Sequence, residues 1–381
     1  MDINELRQGI DKIDDQIVDL YLQRLDLASK IGEEKKKTAN AVFDPDREKK
    51  IILRVTEKVE EDKQIYVKRL FETLMDTSKA LQTANYGKKS KVVEDIKNAL
   101  SGGDKFFPVR AKVACQGVEG AYSGIAAERL FEIADVMYFK NFDNVFTAVE
   151  KGFCKYGVLP IENSTAGSVN KVYDLMSEHK FTIVRSIRIP IVHSLVALNG
   201  VKKSDIKEIV SHEQALSQCR KYLEQFDGVK ITEFPNTALA ARYVKESGRT
   251  DVAALCSKEG AEKYGLSLLE QGVQDSEGNY TRFILITKDL EIYSGAQKIS
   301  IMTTLPHSPG SLYKMLGRFS NLGINLTKLE SRPIVKANFE FNFYFDFDCD
   351  IKLEKVQNLL AEISEGAEKF TFLGAYNEII C

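Results

Sequence analysis

The sequence predicts a multidomain protein with an all-α segment, then an α/β segment, then an α+β segment. Its 381 residues suggest two or three domains at roughly 150 residues per domain. Apolar residues recur at helical spacing in the first part, and apolar strands alternate with amphipathic helices in the second. The last part reads strand, helix, strand, strand, helix, strand. These patterns define the fold class.

The first segment, residues 1–88, is predicted to be helical throughout. Its opening helix has an a/d repeat with steps of four and three, and Asp2 with Glu5 resembles a capping box. The repeat comprises Leu6, Ile10, Ile13, Ile17, Leu20, Arg24, Leu27 and Ile31. A helix reaching about Lys37 is ~50 Å long, whereas a compact monomer with as many residues as this whole segment spans only ~30 Å. The repeat therefore predicts an interlocked helical dimer.

Two further helices and a linker complete this segment. Asp44 is an acidic N-cap, with Pro45 at the first helical position. The third helix has an apolar face of Val67, Leu70, Phe71, Leu74, Met75, Ser78, Leu81 and Gln82. Residues 89–110 contain lysines, a short helical stretch and a Gly-Gly pair, which is typical of a linker.

Residues 111–289 have the strand–helix alternation of an α/β domain. The predicted strands are Lys112–Cys115, Gly157–Ile161, Ile209–Ser211, Lys230–Phe234, Asp251–Cys256 and Arg282–Thr287. Residues 297–381 form the βαββαβ segment, in which every second residue of one strand is phenylalanine. These are Phe339, Phe341, Phe343, Phe345 and Phe347.

The composition excludes several functional classes. The 53 basic and 55 acidic residues leave a net charge of -2, which argues against a nucleic-acid partner. The longest nearly uncharged stretch, residues 189–198, is too short to span a bilayer, and no secretory signal is visible at the N-terminus. The six cysteines form no Cys-x-x-Cys pair, which favours buried thiols in a cytoplasmic protein without a metal site.

Cationic and polar residues on apolar helix faces predict a first site. Arg24 takes a stripe position where Leu or Ile is expected, and Lys35 lies only about 20° away around the helix. Ser78 and Gln82 also lie on an apolar face, whereas Arg7 lies beside the stripe. Buried charges are costly unless they are paired, so the pattern predicts either a pocket for a small anion or an ion pair with Asp44 or Glu48.

Nearly all of residues 1–85 resembles the all-helical chorismate mutases. The resemblance rests on these residues, on Asp44-x-x-Arg47-Glu48 and on Arg69-Leu70-Phe71. The resemblance implies that Arg24 and Arg7 of the partner subunit bind the substrate carboxylates. It places Lys35 and Gln82 at the ether oxygen. It assigns the remaining contacts to Asp44, Glu48 and Ser78, with Arg47 in support. Because the rearrangement of chorismate to prephenate is pericyclic, it needs a fixed conformer and stabilised charge but no nucleophile.

Four loops of the α/β segment are rich in small polar residues and predict a second site. They span residues 119–123, 160–167, 211–215 and 279–283. The first two run from a strand towards a helix, where free backbone N–H groups bind carboxylates, and Ser123 is placed to cap its helix. A serine before a helix is by itself ordinarily only a helix N-cap, so either of these two loops alone would not indicate a site.

In this order the four loops resemble prephenate dehydratase over residues 111–288. Cys115-Gln116-Gly117 and Glu213 depart from the family pattern. The resemblance implies two α/β lobes, like those of periplasmic binding proteins, with the substrate in the cleft. It implies a catalytic Thr281, a possible minor role for His212, and no cofactor. The implied substrate contacts are Ser123, Asn163, Ser164, Thr165, Gln214, Asn279, Arg282 and Phe283.

The chemistry of that reaction suggests what Thr281 does. Prephenate loses CO2 and hydroxide, and aromatisation of the ring supplies the driving force. Since a threonine hydroxyl is a poor acid, we expect Thr281 to donate a hydrogen bond to the leaving oxygen. His179, His193 and His307 show no partner pattern.

The βαββαβ segment resembles an ACT domain of the phenylalanine-binding type. The resemblance rests on Pro309-Gly310-Ser311-Leu312 and on Glu330-Ser331-Arg332-Pro333, with Ser311 a departure from the usual motif. It implies that Pro309, Gly310, Ser311, Leu312, Glu330, Ser331 and Arg332 bind phenylalanine. A domain that serves only dimerisation is the alternative.

The sequence thus predicts a bifunctional chorismate mutase/prephenate dehydratase of phenylalanine biosynthesis, inhibited by phenylalanine. Its expected partners are chorismate, prephenate, L-phenylalanine and a second copy of the chain. A mutase fused to prephenate dehydrogenase would need a Gly-x-Gly-x-x-Gly turn, which is missing. A non-enzymatic sensor with a solute-binding fold is a second alternative.

Overall fold

The computed structural model describes residues 2–38, 44–86, 90–101, 103, 105–334 and 340–381. The chain divides into two compact units. The first comprises Met1–Asp95 with Lys352–Ala367, and the second comprises Ile96–Ile351 with Glu368–Cys381. This division differs from the predicted boundaries because residues 352–367, from the predicted C-terminal domain, pack with the N-terminal helices.

The helices and strands alternate along the chain after an all-helical beginning. The helices are α1 (Ile3–Thr38), α2 (Pro45–Thr56), α3 (Glu61–Tyr86), α4 (Lys91–Leu100), α5 (Tyr122–Leu130), α6 (Phe142–Glu150), α7 (Asn170–Glu178), α8 (Glu213–Gln218), α9 (Arg220–Leu223), α10 (Thr237–Ser247), α11 (Lys258–Tyr264), α12 (Ser311–Asn321) and α13 (Glu354–Gly366). The strands are β1 (Arg110–Gln116), β2 (Ile133–Phe139), β3 (Tyr156–Asn163), β4 (Gly167–Ser168), β5 (Thr182–Pro190), β6 (Ser194–Ala197), β7 (Glu208–Ser211), β8 (Lys230–Glu233), β9 (Val252–Cys256), β10 (Ser267–Gln271), β11 (Tyr280–Thr287), β12 (Lys298–Thr304), β13 (Leu326–Pro333), β14 (Phe341–Asp348) and β15 (Phe370–Ile380). Among the described residues, every helix is too short or too polar to cross a bilayer.

The start signals of the N-terminal helices act as the sequence predicts. The Asp2 N–H donates to a Glu5 carboxylate oxygen at 3.0 Å, one half of a capping box. The Asp44 carboxylate accepts the Arg47 N–H at 3.0 Å and caps α2, whose first residue is Pro45. α1 packs along α3 in this unit.

The second unit contains two α/β lobes, which confirms the predicted two-lobed architecture. The first lobe has strand order β2-β1-β3-β11-β5, and the second has the five-stranded order β10-β6-β9-β7-β8. The chain crosses between the lobes twice, from β5 to β6 and from β10 to β11. Each sheet has apolar clusters of buried side chains on both of its faces. The carboxyl end of β3 and the start of β11 therefore meet near the crossings.

The C-terminal segment has the predicted βαββαβ order, and its strands are antiparallel in the order β13-β14-β12-β15. β15 continues past this sheet and pairs in parallel with β5 of the first lobe through Asn377–Ile380. Gly374 pairs with Ser300 of β12, three residues before β15 begins to pair with β5 at Asn377. Its φ is 149°, and a Cβ there would lie 2.1 Å from the Ile183 carbonyl oxygen. Only glycine allows so close an approach.

All six predicted strands of the α/β segment are confirmed, but β2, β4, β5, β6 and β10 are additional. β2 is half-exposed and lies at a sheet edge, and β4 has only two residues. β5 carries Arg185 and Arg188 between its apolar positions, which weakens the strand pattern. Of the phenylalanine series, Phe345 and Phe347 are fully buried, whereas Phe339 lies outside the described residues.

Candidate active sites

The first site lies where α1 packs on α3. Nη1 of Arg24 donates to the Leu74 carbonyl at 2.6 Å and to the Ser78 hydroxyl, which itself donates to the same carbonyl at 2.7 Å. Nε2 of Gln82 donates to the Ala28 carbonyl at 2.9 Å. Ser78 and Gln82 are buried, and burial lowers the pKa of the Arg24 guanidinium. The structure thus brings together three of the residues that the sequence singles out.

Arg24 lies between two faces of α1. The packed face contains Ala28 and Gly32, both buried, whereas the apolar stripe is exposed. Each residue turns about 100° around the helix, so Arg24 and Lys35 both fall at the border of these faces. The two cations therefore lie beside the surface on which a partner helix is expected, and Arg7 is exposed near the start of that surface.

Arg24 does not form the ion pair with Asp44 or Glu48 that was the alternative prediction for this site. Glu48 lies 2.9 Å from Nζ of Lys79, which also lies 2.8 Å from Asp76. Although burial opposes it, hydrogen bonds to Asp76 and Glu48 raise the pKa of Lys79. Asp44 uses its carboxylate to cap α2. Lys79 is a cation of this region that the sequence analysis missed, since it lies beside Ser78 off the apolar face.

The second site is built around Thr281 on β11, which is paired in register with Asn163 on β3. Nδ2 of Asn163 donates to the Thr281 hydroxyl oxygen at 2.9 Å and to Oδ1 of Asn279 at 2.7 Å. Oδ1 of Asn163 accepts the N–H groups of Thr165 and Ala166 at 3.0 and 2.8 Å. Two backbone donors therefore fix which end of the Asn163 amide faces Thr281, and the Thr281 proton remains available to another acceptor.

Ser164 and Thr165 hold the loop around Asn163. The Ser164 hydroxyl accepts the Tyr280 N–H at 2.9 Å and donates to the Gly278 carbonyl at 3.2 Å. Thr165 contributes its backbone N–H, and its side chain is exposed. The loop after β3 is thereby tied to the start of β11. Asn163, Ser164, Asn279 and Thr281 form one hydrogen-bonded cluster.

Gln218 and His193 extend this cluster and were missed by the sequence analysis. Oε1 of Gln218 accepts Nδ2 of Asn279 at 3.1 Å and lies 3.0 Å from Nε2 of His193. Gln218 ends α8, one helical turn beyond the predicted Gln214, so helical periodicity could have indicated it. His193 is buried in the first crossing between the lobes, and burial lowers its pKa.

Arg282 and Phe283, two further predicted substrate contacts on β11, are both buried. Adjacent side chains on a strand point to opposite faces, so Arg282 leaves the face that Thr281 occupies. Nη1 of Arg282 donates to Asp346 at 2.6 Å, and the side chain is 3% exposed. Phe283 is 2% exposed within the apolar core of the first lobe. The substrate contacts predicted for these two side chains remain predictions.

Ser123, His212 and Gln214 lie at the starts of helices. The N-cap of α5 is Ala121 and not Ser123, which is buried within the helix. Nδ1 of His212 accepts the Gln214 N–H at 3.2 Å and caps α8, which is a structural role. Among the described residues, Ser123 and Gln214 make no hydrogen bond to the Thr281 cluster. Their substrate contacts remain predictions.

The C-terminal sheet carries a cavity of about 350 Å³. It is lined by Leu305, Pro306, His307, Ser308, Pro309, Ser311, Leu312, Phe341 and Phe343. Gly310 is the N-cap of α12 at φ 86° and lies between lining residues. Glu330 and Arg332 are not lining residues: Glu330 accepts the Ser168 hydroxyl at 2.5 Å, and Arg332 forms a bidentate pair with Asp174. The predicted motifs therefore separate, one at the cavity and one facing the first α/β lobe, and Ser331 lies between those two contacts on β13.

The six cysteines lie at different depths in the structure. Cys115, Cys154, Cys219 and Cys256 are buried, whereas Cys349 is half-buried and Cys381 is exposed. Burial raises the pKa of the Cys219 and Cys256 thiols to about 12, so both are protonated at neutral pH. No group of His, Cys, Asp and Glu suited to a metal ion occurs among the described residues.

The comparisons with known proteins identify the families of the two parts of the chain that carry these sites. The family model for chorismate mutase type II matches residues 6–83, and the model for prephenate dehydratase matches residues 113–291. The chain is 32% identical to the bifunctional chorismate mutase/prephenate dehydratase of Aquifex aeolicus over 380 residues, which is 98% of each chain. It is 37% identical over 299 residues to arogenate dehydratase 2 of Petunia hybrida, 74% of each chain.

One solved structure has a similar fold over a large part of the chain. The prephenate dehydratase from Arthrobacter aurescens in complex with L-Phe is 29% identical, with a TM-score of 0.64 over 70% of this chain and 89% of that chain. The described protein is therefore an enzyme with two catalytic domains, an isomerase and a lyase. It belongs to the bifunctional chorismate mutase/prephenate dehydratase family.

Proposed function

We propose that the two domains catalyse successive steps, from chorismate to prephenate and then to phenylpyruvate, with feedback inhibition by phenylalanine. The observation that carries this proposal is that one chain contains both a mutase, which makes prephenate, and a dehydratase, which consumes it. Phenylpyruvate then needs only an amino group to become phenylalanine. The cytoplasm is the proposed place of action, which the unpaired buried thiols support.

At the mutase site, Arg24 anchors a substrate carboxylate and Gln82 contacts the ether oxygen. Arg24 is held by the Leu74 carbonyl and the Ser78 hydroxyl, so its orientation is set before the substrate arrives. As the ether C–O bond breaks, negative charge grows on that oxygen, and Lys35 with Gln82 stabilises it. Asp44, Glu48, Ser78 and Arg47 complete the pocket, together with Arg7 of the partner subunit in an interlocked dimer.

At the dehydratase site, the Thr281 hydroxyl donates a hydrogen bond to the leaving hydroxyl oxygen. The bond from the ring to its carboxylate breaks, and its electron pair completes the aromatic ring. The ring C–O bond breaks at the same time, and the oxygen departs as hydroxide, which the Thr281 hydrogen bond stabilises and which takes a proton from solvent to become water. The orientation of Asn163 supports this role, because its donated hydrogen bond directs the Thr281 proton elsewhere. Ser164, Thr165 and Asn279 shape the loop that receives the substrate.

Arogenate is the second candidate substrate, since the Petunia relative is named an arogenate dehydratase. Arogenate carries an amino group where prephenate has a keto group, and the leaving groups are the same. We favour prephenate because the mutase domain of the same chain supplies it. Comparing kcat/KM for the two substrates tests this choice, and a higher value for arogenate would reverse it.

Phenylalanine is the proposed ligand of the C-terminal cavity. Phe341 and Phe343 provide aromatic surface, and Ser311 lies in the first turn of α12, where backbone N–H groups have no carbonyl partner within the helix. Replacing Ser311 with Phe fills the cavity and should weaken phenylalanine binding by at least ~10-fold, as a calorimetric titration measures. Tyr313→Phe is the matched control, since Tyr313 is 79% exposed and is not a lining residue.

Thr281→Val tests the dehydratase assignment in the full chain. The substitution keeps the shape and removes the hydroxyl, so dehydratase turnover should fall by about 10²–10³. Chorismate should still be consumed, and prephenate should accumulate. Thr281→Ser restores the donor and should recover most of the rate. Undiminished phenylpyruvate formation by Thr281→Val would remove Thr281 from the mechanism.

A further inference from the structure

A buried cluster of charges joins the strand of Thr281 to the C-terminal sheet. Arg282 follows Thr281 on β11, and its Nη1 donates to Asp346 of β14 at 2.6 Å. Its Nη2 donates to the Tyr376 hydroxyl of β15 at 2.9 Å, and its Nε lies 2.8 Å from a Glu378 carboxylate oxygen. One arginine next to the catalytic threonine therefore contacts two strands of the C-terminal sheet.

A third strand completes the cluster and fixes its geometry. The Ser300 hydroxyl of β12 lies 2.5 Å from the second Asp346 oxygen and 2.6 Å from the Tyr376 hydroxyl. The Arg282 side chain is 3% exposed, and those of Asp346 and Glu378 are 11% and 10% exposed. A charge at this depth is tolerated only while its partners stay in place. The cluster therefore holds one arrangement of the two sheets.

The residue beside Asn163 is tied to the same sheet. Glu162 lies 2.9 Å from Nζ of Lys328 on β13 and 3.5 Å from Nη1 of Arg282. Asn163 and Thr281 form the hydrogen bond that aims the threonine proton. Asn163 and Thr281 are thus each followed or preceded in the chain by a charged residue, Glu162 or Arg282, that forms an ion pair with the C-terminal sheet.

Strand β14 carries the cavity at one end and the cluster at the other. Phe341 and Phe343 line the cavity, and Asp346 follows three residues later, at a distance of roughly 10 Å along a strand. Odd and even positions point to opposite faces, so the cavity and Arg282 lie on different sides of one strand. A displacement of β14 by a ligand in the cavity would move the Asp346 carboxylate directly.

We propose that Arg282 is a positioning residue of the dehydratase, through which the C-terminal sheet places Thr281 and transmits occupancy of its cavity. The inference rests on the proposed roles of Thr281 and of the cavity. It has two separate consequences. Weakening the cluster lowers turnover without any ligand, and it uncouples ligand binding from inhibition.

Asp346→Asn in the full chain tests both consequences. It keeps the side-chain shape and removes one charge from the cluster. We expect a dehydratase kcat about 10-fold lower with KM within about threefold, and unchanged mutase activity. We also expect phenylalanine to bind with a Kd within about twofold of wild type by calorimetry, while saturating phenylalanine inhibits far less.

Asp348→Asn is the matched control. It is the same change on the same face of β14, and the Asp348 side chain is 57% exposed and paired with Lys298. It should match wild type in turnover and in inhibition. Ser300→Ala provides a second test that introduces no charge imbalance, and it should lower kcat in the same direction by about threefold.

The outcomes separate this inference from the proposed function. The inference is overturned if Asp346→Asn has the wild-type kcat and is fully inhibited by phenylalanine. It is also overturned if mutase and dehydratase activity fall equally, because that result indicates a general structural defect. Loss of phenylalanine binding in that variant overturns the coupling, since the cluster would then shape the cavity itself. If the wild-type enzyme binds no phenylalanine, the proposed feedback is wrong, and kcat of Asp346→Asn alone decides whether Arg282 positions Thr281.

Discussion

Arg24 shows how a single charge on an apolar helix face indicates chemistry. Its guanidinium is partly buried, and it is held by the Leu74 carbonyl and the Ser78 hydroxyl, without a carboxylate among these contacts. Burial lowers its pKa, so the charge is only partly compensated in the free enzyme. An arginine in this condition gains most from binding an anion.

Replacing Arg24 with Ala should therefore disable the mutase selectively. Loss of a buried charged partner costs about 2–5 kcal/mol of transition-state stabilisation. Chorismate consumption measures this loss, and dehydratase turnover on supplied prephenate should persist because Thr281 belongs to the other compact unit. If both activities fell in a folded protein, the two-site interpretation would be wrong.

His193 predicts a pH dependence of stability. Burial lowers its pKa, although the hydrogen bond with Gln218 opposes this shift. Below about pH 6.5 the unfolded chain binds this proton more readily than the folded chain, so the free energy of unfolding falls as the pH falls. Urea titrations between about pH 7.5 and pH 5.5 measure the decline, and it should be smaller in His193→Gln. An equal decline in both proteins would exclude His193 as its source.

The limit of sequence interpretation is also visible at this scale. Asn163 and Thr281 were predicted to belong to one site because each lies in a polar loop beside a strand, and the structure pairs them in register. Arg282 was predicted as a substrate contact from its motif alone, and a motif does not show that neighbouring strand residues face opposite ways. Gln218 was missed because its contact with Asn279 comes from packing of distant segments.

Among the elements, α1 has the clearest unsatisfied surface. Leu6, Ile10, Ile13, Ile17, Leu20, Leu27 and Ile31 are each more than half exposed in the single chain. The a/d repeat predicted this stripe from spacing alone, since helical periodicity is local. The partner that covers it could not be identified from the chain's own packing.

Ile13→Glu should therefore prevent association of the helical segments. A charge in the stripe removes apolar contact and places carboxylates against each other in a dimer. Sedimentation should show weaker self-association, and mutase activity should fall by at least ~10-fold because Arg7 of the partner subunit is no longer supplied. Gln8→Glu adds the same charge on the opposite face of α1 and should leave both properties unchanged. Full mutase activity in Ile13→Glu would contradict the interlocked dimer.

At the scale of the whole molecule, β15 unites the dehydratase lobe with the C-terminal sheet. The element order of that segment followed from its strand and helix patterns, whereas the joining of the two sheets did not. The junction depends on Gly374 and on its close approach to Ile183. Glycine in a strand signals such an approach but does not identify the partner strand.

Gly374→Ala should destabilise the second unit markedly. Its Cβ would meet the Ile183 carbonyl oxygen, so the backbone has to move in addition to adopting a strained φ. Gly272→Ala is the matched control, since φ is 71° there and no atom lies within 4 Å of the added Cβ. Chemical denaturation should show a loss of about 1–3 kcal/mol beyond that of the control. Equal losses would mean that the junction is not tightly packed.

The path of β15 also has a consequence for synthesis on the ribosome. The first lobe begins at β1, and β15 completes its sheet beside β5 through the pairing of Asn377–Ile380 with Arg185–Arg188. The ribosome therefore makes this part of β15 about 200 residues after β5 itself. Translation at roughly 5–20 residues per second makes this a delay of at least ten seconds. During that interval the outer edge of β5 is unpaired, so the nascent chain has an open strand edge on which a chaperone could act.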